Sequence, residues 1–119
     1  MRIHTISFRH AWDGVWHAWI SQPNFRVHLA FAGLAIILAI LLKLDHWEWM
    51  VLTMTITLGL VVEMINTALE SVVDLVTTEW KISAKVAKDI SAGAMLIYAI
   101  GSIVIGALLF IPKIIWLYT

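Results

Sequence analysis

The sequence has no cysteine, two prolines and little charge. Without cysteine there is no disulfide framework, no thiolate metal site and no thiol nucleophile. Only 13% of the 119 residues are charged, and eight Lys/Arg balance eight Asp/Glu, leaving a formal net charge of zero. A chain with no basic excess lacks the electrostatic footprint of a nucleic-acid binder. Hydrocarbon takes the place of charge: 61% of residues are apolar and the mean hydropathy is +0.90. A soluble domain has about 45–50% apolar and about 25% charged residues. Too little polar surface remains here to enclose a water-soluble core. The same numbers exclude disorder, and a single domain is expected over 1–119. The expected class is an all-α integral membrane protein.

Three spans can be placed. Ile90 to Ile111 is twenty-two residues without a charge, about 33 Å of helix against a hydrocarbon core of about 30 Å. It is the centre of a span expected over 84–116. Another lies between Arg26 and Lys43, over 24–43, with both cations able to snorkel outward. The third, over 47–76, is apolar from Trp47 to Val62 and then carries Glu63, Asn66, Glu70 and Asp74; Thr77-Thr78-Glu79 reads as the loop that ends it. No signal peptide is expected, since the first apolar run starts late and no small-residue cleavage site follows it.

Residues 5–20 differ. Phe8, Trp12, Trp16 and Trp19 recur at helical spacing, with Arg9, His10, Asp13 and His17 at other positions. That pattern predicts an amphipathic surface helix with its indoles at headgroup level. Ser21-Gln22-Pro23-Asn24 then turns the chain into the membrane. His10 and His17 share a face with Asp13, which suits either a metal or, more simply, interfacial histidines without a catalytic role. Positive charge sets the orientation. Arg2, Arg9, Arg26, Lys81, Lys85 and Lys88 fall on the side of the N-terminus and of the loop near residues 77–88, with Lys43 and Lys113 on the other. That bias favours a cytoplasmic N-terminus. Trp47, Trp49 and Trp116 would form the outer aromatic belt, and Trp12, Trp16, Trp19 and Trp80 the inner one.

Depth and facing single out one layer. With Trp47 at the outer interface, Glu63 lies roughly 24 Å deeper and Glu70 roughly 35 Å. Lys88 and Asp89 precede the last apolar run and reach the same level. Glu63, Asn66, Glu70 and Asp74 fall within an arc of roughly 80° at about 100° per residue. An intramembrane acid costs about 2.5–3.5 kcal/mol even on a lenient scale, which marks it as a functional candidate. A structural account also exists: Asn66 bonding between helices and Glu63 pairing with Lys88 as assembly glue, with Glu70 and Asp74 merely solvated. A third is a small proton- or ion-conducting oligomer in which Glu63 relays charge; the lack of ionisable residues in the outer half of every span counts against it. There is no GxxxxGK[ST], GxGxxG or kinase-type HRD or DFG run. Carboxylates able to hold a hard cation, beside a lysine at headgroup depth, nonetheless suit metal-assisted phosphoryl transfer.

The run Glu63-Met64-Ile65-Asn66-Thr67-Ala68-Leu69-Glu70-Ser71-Val72-Val73-Asp74, followed by Ala87-Lys88-Asp89, resembles the signature of the small bacterial diacylglycerol kinase/undecaprenol kinase family. The tryptophan-bearing surface helix, Asn24-Phe25-Arg26, the three spans and the charged loop also fall where that family has them. The resemblance implies a homotrimeric Mg-ATP-dependent lipid kinase of the bacterial inner membrane, with active sites shared between neighbouring subunits. By position, Glu63 matches the base that takes the lipid hydroxyl proton, and Asn66 a residue that orients the site. Glu70 matches a metal ligand, Asp74 a nucleotide-contacting acid, and Lys88 and Asp89 a pair that contacts phosphate and organises the site. Arg9 and His10 fall with the nucleotide-binding positions. Gln22 stands where the family has a second metal-binding glutamate, and an amide oxygen can ligate magnesium without contributing charge. Asn24-Phe25-Arg26-Val27-His28, Ala92-Gly93-Ala94 and Phe110-Ile111-Pro112-Lys113 look more like the undecaprenol branch. An acceptor cleft lined by Ala92, Gly93 and Ala94 is expected; it would not obviously reject diacylglycerol.

Overall fold

The structure, a computed structural model, describes residues 8–119. Arg2, and positions 5–7 of the surface helix expected over 5–20, lie outside the described residues. Four helices follow one another: α1 (Phe8–Ser21), α2 (Pro23–Leu41), α3 (His46–Val76) and α4 (Ile82–Tyr118). The last three are each long and apolar enough to cross a membrane. At about 1.5 Å per residue, α2 is close to one hydrocarbon thickness, whereas α3 and α4 overrun it and carry their charged turns beyond it. α3 is central: α1, α2 and α4 all pack against it, and α1 also packs on α2.

The turn between α1 and α2 is a single residue. Gln22 is extended (φ −114°, ψ 102°) and Pro23 opens α2. The cause is local: a residue before proline is pushed out of the helical region, while proline at a helix's first position loses no hydrogen bond. Ala18 and Phe25, both buried, flank this elbow. The tryptophans Trp12, Trp16 and Trp19 of α1 stay exposed.

α2 ends in a Schellman motif. Lys43 takes the left-handed conformation (φ 54°), its N–H donates to Ile40 O and the Leu44 N–H donates to Ala39 O. The turn drives Leu44 into a cluster with Ala39, Leu52 and Leu109, with Trp49 packed against it. Trp49 therefore belongs to the packing at this end, whereas Trp47 and Trp116, expected with it in an outer aromatic belt, are exposed. Asp45 and Glu48 form a capping box that starts α3: Asp45 Oδ1 accepts from the Glu48 N–H at 3.0 Å and Glu48 Oε2 accepts from the Asp45 N–H at 2.9 Å. Glu48 also meets Lys113 Nζ at 3.0 Å.

Residues 82–88, expected in part as loop, are already helical. Their alanines and lysines are good helix formers, and the N–H of Lys85 bonds to Lys81 O as the first turn closes. From there α4 runs antiparallel to α3, and polar ties recur along the pair. Glu48–Lys113 closes one end and Asp74–Lys88 the other, with Thr55–Tyr98 and Asn66–Ser91 between. The Tyr98 hydroxyl donates to the Thr55 carbonyl at 2.7 Å. Its ring lies so close to Gly59 that a Cβ there would sit 2.2 Å from the hydroxyl oxygen, so the approach requires glycine.

Candidate functional site

The stripe on α3 grades from dry to wet. Glu63 is 2% exposed, Asn66 and Glu70 are half-buried and Asp74 is exposed. Glu63 is the largest fully buried side chain among the described residues. Its neighbour is His28 of α2, whose Nε2 lies 3.8 Å from Oε2 of Glu63. Within the chain, Glu63 and Lys88 do not pair. The α3–α4 register sets Ser91 opposite Asn66, where its hydroxyl donates to Asn66 Oδ1. Lys88 is thereby carried past Glu63 to Asp74, eleven residues and about 16 Å further along α3, and bonds its Oδ1 at 2.7 Å. Asp89 is held on its own helix by Lys85. Asn66 does bond between helices, as the structural account expected.

Two clefts flank this layer. One, of about 510 Å³, is apolar and lies between α2 and α4 over α3. Val27, His28, Phe31, Leu60, Tyr98 and Ser102 are among its walls. The other, of about 380 Å³, is polar and surrounds the α3–α4 turn, lined by Asp74, Thr78, Lys81, Lys85, Lys88 and Asp89 among others. Along α3 the apolar cleft ends at Leu60 and the polar one begins at Val73, so Glu63, Asn66 and Glu70 occupy the interval. Along α4 the same interval holds Ser91. Ala92, Gly93 and Ala94, expected to line an acceptor cleft, are not among the walls of the apolar cleft, which opens further along α4, at Tyr98, Ala99, Ser102 and Gly106. Ala92 and Ala94 are exposed, and a Cβ added at Gly93 would meet nothing within 4 Å. Three lysines line the polar cleft, and each is paired: Lys81 with Glu79, Lys85 with Asp89, Lys88 with Asp74.

The remaining sequence candidates stand apart. Arg9 and His10 occupy the exposed start of α1, where His10 faces Asp13 at 4.0 Å. Gln22 is the half-buried elbow residue. Among the described residues, no three His, Asp or Glu side chains gather closely enough to hold a metal ion. That applies to the His10, His17 and Asp13 face as well as to Glu70. Glu70 and Gln22 offer hard oxygen donors, which fits a magnesium ion held by one or two protein groups and otherwise by phosphates and water. Sequence reading gave no role to His28, Ser91 or Tyr98. The available signal was a histidine in the otherwise apolar run after Arg26.

Comparison with known proteins gives a consistent picture. Residues 9–110 match the family described as Prokaryotic diacylglycerol kinase. A diacylglycerol kinase of Synechocystis is 46% identical over 111 residues, covering 92% of this chain and 63% of its own length. The chain thus spans less than two thirds of that relative. The undecaprenol kinase of Bacillus subtilis is 40% identical over 108 residues, covering 91% of this chain and 88% of its own. The diacylglycerol kinase of Escherichia coli K12 is 32% identical over 95 residues, covering 80% of this chain and 78% of its own.

Proposed function

The chain belongs to the prokaryotic diacylglycerol kinase family, and from that premise we propose that it transfers the γ-phosphoryl group of ATP to the hydroxyl of a membrane lipid. One observation carries the reading: a buried carboxylate, Glu63, sits between an apolar cleft and a polar one. The lipid's hydrocarbon occupies the apolar side, the nucleotide the polar side, and the two reacting groups meet at Glu63. Glu63 takes the proton from the lipid hydroxyl. The lipid oxygen bonds to the γ-phosphorus while the bond to the β–γ bridging oxygen breaks, and ADP leaves. Asn66, tied to Ser91, orients the layer. Lys88 and Asp89 contact phosphate, Asp74 contacts the nucleotide, and Arg9 and His10 complete that surface. The lysines of the polar cleft start neutralised by carboxylates, so phosphate must compete for them; this makes the exchange salt-dependent. Glu70, with Gln22, would hold Mg²⁺, which when bound would offset the charge of the phosphates.

The acceptor we favour is undecaprenol. The runs at 24–28, 92–94 and 110–113 support it, as does the relative of that name at 40% identity. Diacylglycerol is the second reading, favoured by the Synechocystis relative at 46% identity. The protein works as a homotrimer in the bacterial inner membrane, α1 lying amphipathically on the cytoplasmic face with the N-terminus on that side. The test is purified protein in mixed micelles with labelled ATP, magnesium and either undecaprenol or dioleoylglycerol at matched mole fraction. Lipid phosphorylation is expected, falling by about 10²–10⁴ in Glu63→Gln with assembly intact. Full activity in that variant removes the assigned base, and no transfer to either alcohol favours the ion-conducting oligomer or a purely structural protein.

A further inference from the structure

A buried carboxylate that acts as a base must be held in one orientation, because proton transfer demands hydrogen-bond geometry before it demands basicity. No residue of the acidic stripe supplies that hold for Glu63. Asn66 is engaged with Ser91, Asp74 with Lys88 and Asp89 with Lys85. The group that reaches Glu63 comes from another helix. His28 Nε2 stands 3.8 Å from Glu63 Oε2, and the imidazole is only a quarter exposed. Its ring is 6.0 Å from that of Tyr98 and tilted 34° to it. Tyr98 is itself fixed, by its hydrogen bond to Thr55 and by its seat on Gly59. His28 also lines the apolar cleft. One side chain therefore touches the base, a rigid aromatic neighbour and the space opening toward lipid.

We propose that His28 is a positioning residue for Glu63: its Nε2–H holds one carboxylate oxygen, leaving the other to receive the acceptor's hydroxyl proton. The inference rests on Glu63 being the base. At 3.8 Å the pair is longer than a hydrogen bond, and closing it to about 3 Å needs a side-chain shift of under about 1 Å. Catalytic contacts are commonly long before substrate binds. An imidazole N–H donating this bond fixes one carboxylate oxygen and leaves the lone pairs of the other free for the incoming proton. His28 is not among the residues lining the polar cleft, so its loss should lower turnover and leave the affinity for ATP alone.

The experiment compares His28→Gln, which keeps an amide N–H near the Nε2 position, with His28→Leu, which keeps bulk and removes the donor. Glu63→Gln is the reference, and every variant is checked for assembly. Expected is a fall in kcat of about 10–100-fold in His28→Leu, the scale of a misplaced catalytic group. KM for ATP should stay within about twofold, and His28→Gln should recover most of the loss in kcat. Should His28→Leu fail to assemble, His28→Asn replaces it, since its amide falls one methylene short of Glu63; it should lose turnover as leucine does. The proposal is overturned if the donor-less variant keeps wild-type kcat, if His28→Gln falls as far, or if only a KM moves. If instead Glu63→Gln remains fully active, the assignment of the base has failed, and the two failures are told apart.

Discussion

Gly59 is where the contact between α3 and α4 is least forgiving, and Gly59→Ala probes it. On helix propensity alone the change should stabilise α3 by about 1 kcal/mol. The geometry opposes that gain. A Cβ at position 59 would lie 2.2 Å from the Tyr98 hydroxyl oxygen, 2.4 Å from Cζ and 2.7 Å from Cε1. Non-bonded carbons settle at about 3.5–4.0 Å, so the ring must retreat by about 1 Å or the helices must part. Overpacking of this kind costs about 1–3 kcal/mol. Retreat also withdraws the hydroxyl from the Thr55 carbonyl, a further loss of about 0.5–1.5 kcal/mol. Together these give a net destabilisation of about 0.5–3.5 kcal/mol. Reversible unfolding by SDS in mixed micelles, followed by tryptophan fluorescence, measures it. Tyr98→Phe keeps the clashing ring and should not rescue the variant. Tyr98→Ala removes the ring, and in that background Gly59→Ala should become favourable. A Gly59→Ala protein more stable than wild type in the presence of Tyr98 refutes the reasoning.

Three further outcomes are expected. Lys43→Gly should stabilise the fold by about 0.5–1 kcal/mol in the same titration, because a side chain in the left-handed region is strained. Asp45→Ala removes a capping box and should cost about 0.5–2 kcal/mol, with Lys113 losing part of its hold on Glu48 as the first turn frays. Glu70→Gln should raise the magnesium concentration needed for half-maximal turnover by about tenfold, through loss of a charged ligand. An unchanged magnesium titration would transfer that role to another group.

Hydrophobic run length made the three spans legible, and the stripe on α3 could be placed because carboxylates within apolar sequence are rare. The spacing of Glu63, Asn66, Glu70 and Asp74 identified one helix face, but not which carboxylate would be dry. That depends on the register between α3 and α4, which the Asn66–Ser91 tie and the glycine under Tyr98 set jointly. For the same reason Lys88 passed Glu63 and found Asp74. His28 was invisible as a partner because α2 meets α3 through tertiary packing that no local period encodes. Trp49 followed the general habit of indoles at interfaces on paper, and was drawn inward by the Leu44 cluster. The break at Gln22-Pro23 was readable from proline chemistry, although its shortness was not.

That shortness couples the first two helices mechanically. A joint of one residue has two soft torsions, and the proline after it narrows both. α1 has almost no slack in which to roll or dip independently, so a torque applied to its exposed indoles passes into the opening turns of α2. Arg26 and His28 ride on those turns, and the tryptophan-bearing α1 stands in series with the imidazole beside Glu63 like a crank on its shaft.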